Sequence, residues 1–187
     1  MTRSLIVFVV LVLTVPMVSY SQVSGFVESK NTVKRGVVTP SINIVASGKL
    51  RGSVGWSLYS LTSEKYSEAY AGPTWSPLSW LELGGSVGLE NSPKPFRYAS
   101  SVWVGKGRYS ILTIHESSRA GGSGYWQMTR ATVSIFEGSK IGFYSQRFVG
   151  NGPYLEKTLG RRLTAWASSP IDNGRVGMLL GLRFAFQ

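Results

Sequence analysis

The only histidine of the chain, His115, stands two residues before Ser117 in the run Ile111-Leu112-Thr113-Ile114-His115-Glu116-Ser117. Successive side chains of a strand point to opposite faces, so His-x-Ser presents a base and a nucleophile on one face. Acyl-ester hydrolysis uses that pair, with His115 accepting the Ser117 proton, but it also requires a third group to orient the imidazole. A second set of residues is ionic: Glu68, Glu82, Glu90, Arg97, Arg130 and Arg183 share the polar parity of their strand-like segments. Charges in a narrow interior are expected to pair, since burying one alone costs on the order of several kcal/mol. Pairing predicts a plugged, rigid interior, whereas unpaired arginines line a small anion-selective passage. Neither paired histidines, an acidic cluster nor cysteine supplies metal-ligand spacing, so no metal and no other cofactor is expected. Gly105-Lys106-Gly107 lacks the Lys-Ser/Thr that ends a phosphate loop and reads as a hairpin turn.

Strands must position these groups. From residue 40 onward, runs rich in Val, Ile, Leu, Tyr and Trp alternate with short clusters of Gly, Ser, Asn, Lys and Pro. The punctuation predicts strands near 40–48, 52–62, 66–75, 79–90, 96–105, 108–117, 124–136, 140–149, 153–159, 162–169 and 175–186. Asp172-Asn173-Gly174 carries the strongest short hairpin signal. Helical periodicity is absent, and the fold class is all-β, an antiparallel meander. Single-chain membrane barrels have even strand numbers. Eleven segments therefore resolve either to ten, by merging 153–159 with a neighbour, or to twelve, by adding a strand near Gly25.

Met1-Thr2-Arg3 followed by the apolar run Leu5 to Val15 and the small residues around Ser21 reads as a secretory signal peptide over 1–21. The run is interrupted by Thr14 and Pro16 and is shorter than the roughly 20 residues of a membrane-spanning helix. Residues 22–39 are polar and weakly patterned, which predicts a periplasmic lead-in to a domain over 40–187. No continuous apolar span follows the leader, so membrane insertion requires a closed barrel. With no cysteine in the chain, such a barrel holds together without disulfides and has no thiolate chemistry. Removing Arg3 with the leader leaves 19 Lys and Arg against 9 Asp and Glu, a formal charge of +10. That balance suits acidic surfaces, and the scatter of the cations argues against nucleic acid.

In the last strand Val176, Met178, Leu180, Leu182, Phe184 and Phe186 share one face, while Arg175, Gly177, Leu179, Gly181, Arg183 and Ala185 share the other. Alternation alone also fits a secreted soluble barrel that binds a ligand inside. Composition favours the membrane: charged residues make up 16% of the chain and aromatics 12%, against roughly 25–35% charged on a soluble surface. Trp75, Trp80, Phe96, Tyr98, Tyr125 and Trp126 crowd strand ends, as aromatic girdles do. Leader, missing cysteine and alternating strands together resemble the outer-membrane β-barrel proteins, implying a transmembrane barrel of 10–12 strands. The ending Leu180-Gly181-Leu182-Arg183-Phe184-Ala185-Phe186 resembles their assembly signal, with Leu180, Leu182, Phe184 and Phe186 as its apolar face and Gln187 following the aromatic residue. The resemblance implies a cell outer membrane location, contact with outer-membrane lipid and lipopolysaccharide, and handling by the barrel assembly machinery. Its implied role is structural, binding or narrow-channel. His115-x-Ser117 is in turn similar to the outer-membrane lipid A deacylases. Where that family has an orienting acid and an asparagine, this chain has Thr129 or Arg130 and Ser118.

Overall fold

The computed structural model describes residues 23–34, 36–118 and 124–187; the leader expected over 1–21 lies outside them. The strands are β1 (Ser24–Lys34), β2 (Val37–Arg51), β3 (Val54–Ser63), β4 (Ser67–Leu78), β5 (Leu81–Glu90), β6 (Phe96–Lys106) and β7 (Tyr109–Ser118), followed by β8 (Trp126–Phe136), β9 (Ser139–Gln146), β10 (Gly150–Thr158), β11 (Leu163–Ser168), β12 (Ile171–Asp172), β13 (Arg175–Val176) and β14 (Met178–Phe186). Neighbours in sequence pair antiparallel from β1 to β11. β14 then bridges β11 and β1, which closes a barrel of 12 strands. β12 and β13 form a short ribbon attached to β10 through the pairing of Ile171 with Asn151. Closure pairs every edge, a requirement for strands surrounded by hydrocarbon.

The expected lead-in over 22–39 is corrected. β1 is an integral barrel strand, paired along its length with both β2 and β14. Its polarity concealed it, because Glu28 and Lys30 face a polar lumen while Ser29 and Asn31 interrupt the apolar outer face. The barrel thus begins at Ser24, and β1 is the strand that makes the eleven segments twelve.

Register fixes which face looks inward. Glu28 lies opposite both Asn43 and Arg183, and all three belong to the lumen. On β14 the alternate residues Leu180, Leu182 and Phe184 are 42%, 53% and 50% exposed, while Leu179 is fully buried. Ile42, Val87, Val102, Ile111, Phe143 and Leu155 are exposed on the same outer wall. A barrel built for water places these faces the other way round. A continuous exposed apolar wall of this kind matches a hydrocarbon surround.

The two ends differ. Turns at 52–53, 79–80, 107–108 and 137–138 have two residues each, and Ser24 and Phe186 lie at that same end. The opposite end carries the longer connections 91–95 and 119–125. Short turns at one end and longer loops at the other are the asymmetry of single-chain membrane barrels. Trp75, Trp80 and Tyr109 are exposed near the turn end, and Phe96 and Tyr98 near the loop end. Trp126 departs from the expected girdle: it pairs with inward Glu116 and lines the lumen.

Candidate functional site

Two polar networks fill the lumen. The one nearer the loop end is built from the ends of β4, β5, β6 and β7 with the β3–β4 turn. Arg97 is its centre, with Nη1 at 3.0 Å from Glu90 Oε2, Nη2 at 3.3 Å from Glu116 Oε2, and Nε donating to the Tyr70 hydroxyl at 3.0 Å. Tyr70 OH lies 3.1 Å from Glu116 Oε2 and 3.2 Å from Glu68 Oε2. Tyr66 OH reaches Glu68 at 2.6 Å and Glu90 at 2.9 Å. Burial, together with these carboxylates, holds the Tyr66 phenol protonated far above the ordinary tyrosine range. Arginine and tyrosine donors thus offset three glutamates in a space where bare carboxylates are costly.

The second network lies nearer the turn end, on β1, β2, β8, β9, β10, β11 and β14. Arg183 Nη2 sits 2.9 Å from Glu28 Oε2, and its Nη1 is 3.5 Å from Glu156 Oε2. Lys140 Nζ is 3.0 Å from Glu156 Oε1, and Tyr154 donates to Glu156 at 2.6 Å. Glu28 also accepts from Trp166 Nε1 at 2.8 Å and from Asn43 Nδ2 at 3.0 Å. Arg130 lies over the Tyr154 ring at 5.6 Å from its centroid. Tyr144, Tyr154 and Trp166 pack together with ring centroids 5.7–6.2 Å apart and form the buried centre of the molecule with Leu179.

Inward glycines make room for these rings. A Cβ on Gly181 would fall 2.2 Å from the Trp166 ring, and one on Gly88 would fall 2.5 Å from Tyr70. Gly181→Val is therefore expected to displace Trp166 from Glu28 and to cost about 1–3 kcal/mol, the range for overpacking a filled interior. Equilibrium unfolding in vesicles measures the loss, and a drop in buried-tryptophan fluorescence reports the displacement.

The residues predicted from strand parity fall into three places. Glu68, Glu90 and Arg97 meet in the first network, and Arg130 and Arg183 contribute to the second. Glu82 stands apart near the turn end, accepting from Ser76 Oγ at 3.2 Å. Glu28, Glu116, Glu156 and Lys140 complete the pairs and were not singled out in the sequence, nor were the tyrosines. His115 and Ser117 share the outer face of β7, opposite Gln127 and Tyr98 respectively. The imidazole packs on Tyr125 at 4.7 Å between ring centroids. The partners that register sets beside this pair are Ser100, Tyr98 and Gln127, and none is a carboxylate.

Above the first network the barrel opens into a vestibule of about 720 Å³ at the loop end. Glu68, Glu90, Arg97 and Glu116 form its floor, Lys30 and Lys94 add positive charge, and Tyr66, Trp126 and Phe148 supply aromatic walls. Among the described residues neither Lys30 nor Lys94 has a carboxylate within ion-pair distance.

The described backbone is similar to that of the KdgM porin, with a TM-score of 0.62 at 10% identity over 87% of this chain and 99% of that one. The fold is that of outer-membrane porin barrels. Omp33 of Acinetobacter baumannii shares this porin-barrel fold at a TM-score of 0.54, with 9% identity over 89% and 98% of the two chains. The NanC porin does so at 0.52, with 11% identity over 86% and 99%. No protein-family model and no curated protein matches the sequence.

Proposed function

We propose that this porin-type barrel resides in the outer membrane and provides a narrow, anion-favouring passage entered from the loop-end vestibule. The observation that carries the reading is the vestibule's charge arrangement. Its three glutamates are engaged as acceptors by Arg97, Tyr66 and Tyr70, whereas Lys30 and Lys94, which balance the charge left by the single arginine, make no ion pair among the described residues and line the solute's way in. One KdgM porin structure is described as a complex with disordered oligogalacturonate. Small uronates combine a carboxylate for the lysines with a sugar face for Trp126 and Phe148, so they are the solute class proposed here. The paired networks make the way through narrow, and the C-terminal strand with Leu180, Leu182, Phe184 and Phe186 outward serves as the assembly signal.

Planar-bilayer recording of the refolded mature chain tests this directly. Small single-channel steps are expected, with a reversal potential in a salt gradient that favours chloride over potassium. Lys30→Glu should abolish or reverse that preference. A silent bilayer would leave a plugged barrel and remove the passage, and cation preference in the native protein would remove the solute class.

A further inference from the structure

The turn end carries its charge in a pattern that the passage does not use. Exposed cations come in pairs on alternate turns: Lys49 and Arg51 beside the β2–β3 turn, Lys106 and Arg108 at β6–β7, and Arg161 and Arg162 at β10–β11. The two intervening turns carry Glu82 and Glu137 nearby, the latter with Lys157, whose Nζ donates to the Glu137 carbonyl at 3.2 Å. Among the described residues none of the six cations is ion paired; Arg108 Nε donates to the Ser134 carbonyl at 2.7 Å. Three like pairs, four strands apart, are spread around the turn-end rim instead of marking one side of it, with Lys49 on the lumen side of that rim. An annulus of small anions matches that distribution better than a single globular partner does.

A second feature lies directly above one pair. Between β6 and β7 the outer wall holds a groove of about 390 Å³ lined by Val104, Tyr109 and Ile111, with Lys106 at its turn-end rim. The lining is almost wholly apolar and belongs to the exposed outer wall, so it suits a hydrocarbon chain. Lys106 then stands where the chain's headgroup begins. We propose that the turn end is a docking surface for anionic phospholipid of the periplasmic leaflet, with one acyl chain seated along Val104 and Ile111 and its phosphodiester at Lys106. The other two pairs hold further anionic headgroups around the rim. Basic residues just outside the hydrocarbon attract anionic headgroups, and salt screens the attraction.

Trp80 makes the site measurable, because its carbonyl accepts from Gly105 N at 2.9 Å, next to Lys106 in the chain, and its side chain is exposed at the turn end. The full mature chain is reconstituted in mixed vesicles of phosphatidylglycerol and phosphatidylcholine, with one or the other brominated on its acyl chains. Tryptophan quenching then gives the relative occupancy of the two lipids. Phosphatidylglycerol is expected to be preferred roughly threefold at low ionic strength, and equally with phosphatidylcholine in about 0.5 M salt. Lys106→Gln should reduce the preference, and combining it with Lys49→Gln, Arg51→Gln, Arg161→Gln and Arg162→Gln should bring it close to equality, leaving only the Arg108 charge of the six. Neutralising Lys65 and Arg175 at the loop end should leave it unchanged. All these positions are exposed, and retained heat-modifiable migration on gels shows that each variant is folded. Equal quenching by both lipids in the native chain, or a preference that survives the fivefold variant, overturns the proposal. So does a preference that disappears with the loop-end substitutions.

Discussion

Arg183→Ala is expected to destabilise the folded barrel by about 3–5 kcal/mol, the range for removing one partner of a buried ion pair. The guanidinium contacts Glu28 and Glu156 at once, and both carboxylates are buried on the lumen side. Removing it leaves Glu28 with Trp166 and Asn43 as hydrogen-bond donors but without its countercharge. The loss is read from urea unfolding of the chain in vesicles. Adding Glu28→Gln to Arg183→Ala should recover a substantial part, because the neutral amide no longer needs the cation. A single variant within about 0.5 kcal/mol of the native chain, the range of ordinary surface changes, would contradict a rigid paired interior.

The second large effect belongs to the outer wall. Leu182 is 53% exposed in the middle of β14, paired with Ala165 and Ser29. Leu182→Arg is expected to cost about 2–4 kcal/mol by placing a charge at mid-belt in hydrocarbon. On a soluble barrel the same exposed position would accept arginine at nearly no cost. Substituting Arg51 by glutamine, opposite exposed Val54 at the rim of the same wall, should be neutral in the same unfolding assay.

The period-2 pattern carried most of the architecture. In β14 large apolar residues alternate with Gly181, Arg183 and Ala185 without interruption, so the two faces could be separated before any fold was known. Parity also placed Glu68, Glu82, Glu90, Arg97, Arg130 and Arg183 on faces that the register turns inward. It could not say which of them meet, since contact across a lumen depends on strand stagger and on rings packed between strands. Glu82 illustrates this, with the right parity but a position near the turn end that keeps it out of both networks. The partners on β1 and β10 were harder to see. β1 lacks an apolar face long enough to announce a strand, and Glu156 sits in the short segment whose independence was in question. Tyr70, Tyr154 and Trp166 were hidden for another reason: aromatic residues usually signal the apolar face, whereas here their rings lie inward over glycines while their polar atoms serve Glu28, Glu116 and Glu156. The vestibule is assembled from residues spread between Lys30 and Phe148, and no local motif announces it.

Orientation of the wall is the claim on which everything else depends, and the absence of cysteine makes it accessible to single-site spin labelling. Nitroxides introduced one at a time at Leu180, Leu182, Phe184, Ile42 and Phe143 should show high collision rates with oxygen and low rates with a water-soluble nickel complex. Labels at Ala185, Thr164 and Ser101, on the lumen side, should show the weaker oxygen access of a filled, polar interior. Oxygen access that follows this two-residue alternation around the barrel is the predicted result. High nickel access at Leu180, Leu182 and Phe184, with the lumen positions dry, would show an outer wall facing water and would contradict the account.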